Sequence, residues 1–417
     1  MATKVRVENL VKIFGKTPRK KPLNMLKQGI PKDEILRETG HVVGVNNASF
    51  SVEEGEIFVV MGLSGSGKST LIRCLNRLYE PTSGHVYLDD DEDVVAADPK
   101  RLQQIRRTRM AMVFQHFGLF PHKTVGYNVS YGLRTRGNVS REQLREKAME
   151  ALSLVGLTEW IDHYPDNLSG GMQQRVGLAR ALAADVDILL MDEAFSALDP
   201  LIRRQMQDEL VRLQDHLHKT IIFITHDLNE ALRVGNHVAI MRDGKIVQIG
   251  TPPEIVMNPA NEYVAKFMAD VDQSRVLTAE FVMRPAHSLP RDCSVAEAVE
   301  HMNKFGVHAL YLVDENGMPD GVVRREYLYE LQQGNEATIG DAIIGNFPSV
   351  SPLTSLTSLY NLYSEQLPIA VVNDKGQLQG VVYPYDVLQA LANAEDVTQS
   401  NGAGAVVTPN TQEVINV

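Results

Sequence analysis

Four short apolar runs set the rhythm of the first half of the chain: Ile57–Met61, Ala111–Phe114, Ile188–Met191 and Ile221–Ile224. None alternates polar with apolar, so each predicts a strand buried on both faces, as in a parallel sheet covered by helices. Residues 3 to 14 do alternate and predict a half-exposed strand, and Val45–Val52 reads as the next one. Helical spacing follows at Thr70–Arg77, at 140 to 160 behind the cap signature Ser140-Arg-Glu-Gln143, at Val176–Ala183, and along Met206, Leu210, Leu213 and Leu217. Strands alternating with helices predict an α/β fold, and such sheets bind ligands beyond the carboxyl ends of their strands.

The chemistry collects at those ends. Between the first run and its helix lies Gly62-Leu-Ser-Gly-Ser-Gly-Lys-Ser69, a phosphate-binding pattern in its proper strand-to-helix context. Backbone amides around Gly62, Ser64, Gly65, Gly67 and Thr70 are placed to wrap phosphates. Lys68 is placed to reach the terminal ones, and the Ser69 hydroxyl to meet Mg²⁺. The second run ends at Gln115, whose amide can reach Mg²⁺ or an attacking water. The third ends in adjacent carboxylates: Asp192 is placed to hold a metal through water, and Glu193 to orient or deprotonate a water beside the γ-phosphate. The fourth ends at His226, which is read as a γ-phosphate contact over a structural hydrogen bonder because it shares the edge with Gln115 and Glu193. Ser169, Gly170 and Gly171, followed by Gln173, open another helix with amides that a phosphate can approach; as a bare pattern this is a helix cap.

Composition narrows the setting. The chain has 417 residues, room for two to three domains, and a net charge of −11, which argues against nucleic acid as a partner. Cys74 and Cys293 match no metal spacing and suit a reducing compartment. No apolar stretch is long enough to span a membrane and the opening residues lack the apolar core of a signal peptide, so a cytoplasmic protein is expected, held at any membrane by a partner.

Residues 15 to 43 interrupt the strand pattern with Pro18, Pro22, Pro31 and an excess of Lys and Arg. Two readings stay open: a solvated loop, or an element that docks on a partner or on anionic lipid. Near the C-terminus, Leu312–Val323 recurs as Val371–Val382, each copy a strand, a glycine-containing turn, a strand and a helix. The tail from Ala394 has no Lys or Arg and reads as disordered.

The six ordered motifs, from the loop at 62–69 through Gln115, Leu168–Gln174, Asp192-Glu193 and Ser196–Asp199 to His226, resemble an ABC-transporter ATPase over residues 1 to about 270. The basic insertion after Lys12–Gly15, the stretch Met191–Arg203 and the C-terminal extension are similar to the ATP-binding subunit of bacterial glycine betaine/proline osmoprotectant importers. The resemblance implies a P-loop NTPase core with a helical subdomain inserted at about 116–180. It also implies a head-to-tail homodimer, with each ATP between Lys68 of one copy and Ser169–Gly171 of the other, and Phe14 stacked on adenine. A core aromatic remains the other reading of Phe14. Residues 116 to 135 match the region that contacts a permease subunit, which works with a substrate-binding protein or domain, and this places the chain at the cytoplasmic face of the plasma membrane. A soluble ATPase of the same family would be expected to carry long coiled coils or two fused ATPase units, and neither pattern is present. The repeat resembles a tandem CBS pair, an α+β module over 273–395 with copies at about 278–335 and 339–395, leaving 396–417 as tail. It is either a dimerisation module or a sensor of ionic strength or of a nucleotide. Asp386 fits the nucleotide pattern of such pairs; Tyr383, Arg324 and Tyr327 depart from it. Arg324 and Arg325 are either part of an electrostatic sensor for anionic lipid or plain solvated surface.

Overall fold

The structure is a computed structural model that describes residues 2–115, 117–137, 139–196, 198–269, 271, 276–332, 338–362 and 367–390. The chain divides into two units, Met1–Ile255 and Val256–Val417. The tail at 396–417 lies outside the described residues.

In the first unit the apolar runs become β3 (Ile57–Met61), β6 (Met110–Val113), β7 (Ile188–Asp192) and β8 (Thr220–Thr225). They pair in parallel in the order β3-β8-β7-β6, and β9 (His237–Arg242) and antiparallel β10 (Lys245–Gly250) extend the sheet beyond β3. Every residue of β3, β7 and β8 is buried, whereas Ala111 and Met112 of β6 are half-buried, because β6 is the edge strand. A second, antiparallel sheet contains β1 (Thr3–Phe14), β2 (Val42–Glu53), β4 (Ser83–Leu88) and β5 (Glu92–Asp93) in the order β2-β1-β4-β5. Helix α3 (Lys68–Leu75) lies between the sheets: its Leu71, Ile72, Cys74 and Leu75 share one core with Val5, Val7 and Leu10 of β1 and Phe58 and Val60 of β3. Burial pushes the Cys74 thiol up to about 12, so it is an inert packing group.

The segment 15–43 is not a solvated loop. Two helices form there, α1 (Lys20–Lys27) and α2 (Lys32–Thr39), the second ended by Gly40 in the left-handed region at φ 68°. Met25, Leu26 and Ile35 pack with Val11, Ile13 and Val43 into a satellite core. Short helices with few apolar positions give little periodicity, so the prolines dominated the sequence pattern.

Helix α4 (Pro99–Thr108) leads into β6, and between β6 and β7 run α5 (Val125–Arg136), α6 (Arg141–Leu154) and α7 (Gly170–Ala183), which pack on one another. The stretch expected to be helical from 140 to 160 is broken: α6 stops before Gly156 at φ 68°, and a single 3-10 turn follows at Thr158–Trp160. In α8 (Pro200–Leu217), Met206 and Leu210 are buried as expected, while the side chains of Leu213 and Leu217 lie outside the described set.

Among the described residues the second unit carries two small sheets, one of three strands and one of four. Ala309–Val313 pairs antiparallel with Pro319–Arg324, and Ile369–Val372 pairs antiparallel with Leu378–Val382, so the sequence repeat is a repeat of strand pairs. Tyr311 and Val322 of the first pair share a core with Ala370 and Val381 of the second, and the Tyr311 hydroxyl donates to the Pro368 carbonyl at 2.6 Å.

Candidate nucleotide site at the carboxyl edge of the sheet

The loop after β3 needs its glycines. Gly67 sits at φ 105°, and a Cβ there would lie 2.2 Å from the Gly44 carbonyl oxygen of β2. Gly65, at φ 79°, faces open space, as does the exposed Ser64, which leaves the loop's outer face clear. Lys68 opens α3 and is 4% exposed. Its ammonium donates to the Gly62 carbonyl at 2.8 Å and to the Leu63 carbonyl at 3.2 Å, and it lies 3.9 Å from Glu193 Oε1. Burial lowers its pKa, and the charges of Glu193 and Asp192 oppose that shift. Ser69 and Thr70, on the first turn of α3, are half-buried beside it.

Glu193 is the convergence point. It follows β7 in the left-handed region at φ 47°, a conformation that costs a non-glycine residue about 1–3 kcal/mol and turns the chain sharply after Asp192. Its Oε2 accepts from Gln115 Nε2 at 3.1 Å and lies 3.4 Å from His226 Nδ1. The ends of β6 and β8 therefore place Gln115 and His226 on the carboxylate that follows β7, with Lys68 of the β3 loop at its other oxygen. Asp192 is fully buried; Arg73 of α3 donates to its Oδ2 at 2.9 Å, and Oδ1 has no partner. A buried, unmatched carboxylate oxygen beside the Ser69 turn fits a hydrated divalent cation.

The turn bearing His226 is braced from below. Thr225 Oγ1 accepts from the Asp227 amide at 2.9 Å and bonds the buried Glu230 carboxyl, which also accepts from Gln207 Nε2 at 3.1 Å. Arg203 joins Asp227 at 3.2 Å to the Leu198 carbonyl at 3.1 Å.

Phe14 stands at the end of β1, half-buried, edge-on to Tyr79 at 5.4 Å and under the Lys12 ammonium at 5.0 Å. A Cβ on Gly44 would meet both the Phe14 ring at 2.8 Å and the Thr70 methyl at 3.0 Å, so this glycine lets the ring lie beside the start of α3. Ser169, Gly170, Gly171 and Gln173 are not brought to this site. Ser169 caps α7 by accepting from the Met172 amide at 3.3 Å, and the Gln173 amide is spent on the Pro165 and Leu168 carbonyls. Among the described residues no hydrogen bond joins them to the loop at 62–69, and Ser169 and Gly170 are exposed.

Sequence reasoning missed Arg73 and the Thr225–Glu230 brace. Arg73 carried a signal, since it lies four residues after Ser69 and so on the same helix face. The brace carried none, because its partners come from three separate elements. In the second unit, Asp386 is 7% exposed and already engaged: Arg284 Nε donates to it at 2.8 Å and the Tyr383 amide at 3.2 Å.

A phosphate loop, a buried metal-competent carboxylate and a glutamate held by three strand ends define an ATP-binding cassette ATPase. The chain matches the ABC transporter family over residues 45–196 and the CBS domain family over 279–334. It is 49% identical to the glycine betaine transport ATP-binding protein OpuAA of Bacillus subtilis, covering 99% of this chain and 98% of that one. It is 46% identical to the glycine betaine/proline betaine transport system ATP-binding protein ProV of Escherichia coli, over 94% and 98%. The dimeric structure of MJ0796, a bacterial ABC transporter cassette, superposes with a TM-score of 0.51 at 32% identity, covering 59% of this chain and 98% of that one. The chain belongs to the ABC transporter family, alongside these transport ATP-binding proteins, and carries a CBS domain in its second unit. It is an ATP-hydrolysing subunit of a transport system and acts peripherally to the membrane; no helix among the described residues is long and apolar enough to cross one.

Proposed function

We propose that two copies of this chain pair head to tail and hydrolyse ATP at two shared sites, driving import of a betaine-type solute through a separate permease on the cytoplasmic face of the membrane. One observation carries the catalytic part: Glu193 Oε2 lies 3.1 Å from Gln115 Nε2 and 3.4 Å from His226 Nδ1, while Oε1 lies 3.9 Å from Lys68 Nζ. Glu193 is the base, taking a proton from the water that attacks the γ-phosphate. Gln115 fixes the rotamer of that carboxylate, and His226 borders the γ-phosphate position. Lys68 leaves its two loop carbonyls for the phosphate oxygens, exchanging neutral acceptors for charged ones. Mg²⁺, held by Ser69 and through water by Asp192 and Gln115, would neutralise charge on the phosphates. The adenine reading of Phe14 is supported by its position beside Thr70.

The exposed helix start at Ser169 and Gly170 supports the head-to-tail pairing, because among the described residues no hydrogen bond joins it to the phosphate loop of its own chain. The permease surface is assigned to 116–135. A cleft of about 140 Å³ lined by Thr124, Tyr127, Arg134, Ala148 and Asp162 opens there, next to the paired rings of Phe120 and Tyr131 at 4.8 Å. The betaine assignment, and a substrate-binding protein or domain as third component, follow from the relatives' names. The tandem pair at 278–335 and 339–395 is assigned a regulatory role. Ionic strength is favoured over a nucleotide as its signal, because Asp386 is already bonded to the half-exposed Arg284.

The test is Glu193→Gln. The variant should bind ATP with near-native affinity and lose at least about 99% of steady-state hydrolysis, the loss expected for a chemical-step residue. Near-native turnover would overturn the assignment.

A further inference from the structure

Helix α3 starts at the phosphate loop and, beyond its last turn, folds the chain back along itself. Arg77, in the left-handed region at φ 53°, makes that turn, and its guanidinium donates to the Val94 carbonyl at 3.1 Å and to the Ala97 carbonyl at 2.6 Å. The turn brings the Tyr79 amide onto the Arg73 carbonyl at 2.9 Å, and the next carbonyl, of Glu80, accepts from the Lys12 ammonium of β1 at 2.5 Å. Tyr79 is therefore pinned by backbone contacts on both sides. Two groups of the nucleotide site lean on its side chain. Its ring stands at 89° to the Phe14 ring, with centroids 5.4 Å apart. Its hydroxyl accepts from Arg73 Nη1 at 3.2 Å, while Nη2 of the same guanidinium donates to Asp192 Oδ2 at 2.9 Å. With Oδ2 spent on arginine, the fully buried Asp192 is left with Oδ1, the oxygen that has no partner. A long, half-buried arginine loses much rotamer freedom when it stays on one carboxylate, and a second fixed acceptor is what holds it there.

We infer that Tyr79 is a positioning residue for both ends of the nucleotide: its ring sets the attitude of Phe14 toward the base, and its hydroxyl, through Arg73, holds Asp192 with Oδ1 free for the hydrated cation. The inference rests on the readings of Phe14 and Asp192 given above. It adds one residue, outside every phosphate-binding motif, on which the base platform and the metal carboxylate both depend.

The test is calorimetric titration of the full-length chain with the β,γ-imido analogue of ATP, once in excess Mg²⁺ and once in EDTA; the ratio of the two Kd values measures how far the metal tightens binding. Tyr79→Phe keeps the ring and loses only the hydroxyl. It should cut that ratio about fivefold, the worth of one hydrogen bond, and change the Kd in EDTA less than about twofold. Arg73→Lys should cut the ratio at least as much, because a compact ammonium cannot span the hydroxyl and the carboxylate as the arginine fork does. Adding Tyr79→Phe to Arg73→Lys should cut it less than about twofold further, since the hydroxyl acts through Arg73. Tyr79→Leu, which also removes the ring, should in addition weaken binding in EDTA about fivefold. Two controls separate the inference from the readings beneath it: Asp192→Asn should remove most of the Mg²⁺ effect, and Phe14→Ala should weaken binding in EDTA. If Asp192→Asn behaves so and Tyr79→Phe keeps the native ratio, the inference is overturned and the metal reading stands. A native ratio in Asp192→Asn would overturn the metal reading and the inference with it. Native binding in EDTA by Tyr79→Leu would overturn the link to Phe14, and native binding by Phe14→Ala would overturn the adenine reading as well.

Discussion

Residue chemistry in the first unit is dominated by carboxylates whose surroundings differ sharply. Glu193 is left reachable, whereas Glu230 is 5% exposed beneath the His226 turn. Burial raises the Glu230 pKa from its usual 4.5, against hydrogen bonds from Thr225 and Gln207 that lower it. The folded chain therefore binds this proton more tightly than the unfolded chain does. Its contribution to stability is fully present below the unfolded value and is lost as pH rises from 4.5 through the raised folded value. Glu230→Gln keeps the shape and the hydrogen-bonding capacity without the charge. Relative to the native chain it should melt progressively higher as pH is raised from about 4.5 through the raised folded value, and the difference should level off above it. A melting difference independent of pH would show that the buried carboxyl does not titrate in that range. Of these residues, the sequence made legible those that end apolar runs: Gln115, Asp192, Glu193 and His226. A polar group at the end of a buried strand has few destinations, and the phosphate loop fixed which one. Arg73, Gln207 and Glu230 were not legible, because a charge on an amphipathic helix reads as solvated surface until the neighbouring element is known.

Elements were read best where the period was long. The parallel strands and α3 fell close to their expected positions, because four or five apolar residues in succession leave little alternative. The pair α1 and α2 was misjudged, since each has 8 residues and its few buried side chains face a core made partly by β1 and β2. That core depends on Ile35, which is fully buried. Ile35→Ala should cost about 2–5 kcal/mol of local stability. Hydrogen exchange should accelerate across 20–43 while β3 and β8 stay protected. Unchanged exchange in 20–43, or equal loss of protection in β3, would contradict an independently packed insertion. The α7 element carries more than its motif suggested: its first turn presents Ser169 and Gly170 to solvent while Arg180 holds the segment beyond Gln115.

At the scale of the whole molecule, the loop at 62–69 is a complete grip on phosphate and an incomplete catalyst. Every group that meets at Glu193 comes from one chain, yet Ser169–Gly171 points its free amides elsewhere. In the proposed arrangement each ATP is shared between two copies, which would resolve this and make hydrolysis conditional on pairing, where a permease and the C-terminal module could exert control. No pattern within one chain could display that arrangement, since the partner surface is a second copy of the same sequence; it came from the family resemblance. The account is tested most directly by complementation. Lys68→Ala disables the phosphate loop and Ser169→Arg the opposing helix start, so a homodimer of either has two dead sites. Coexpressed with different tags and purified as the mixed pair, they should regain ATP hydrolysis, because one of the two sites then joins a native Lys68 to a native Ser169. A mixed pair as inactive as either parent would mean that each site lies within a single chain.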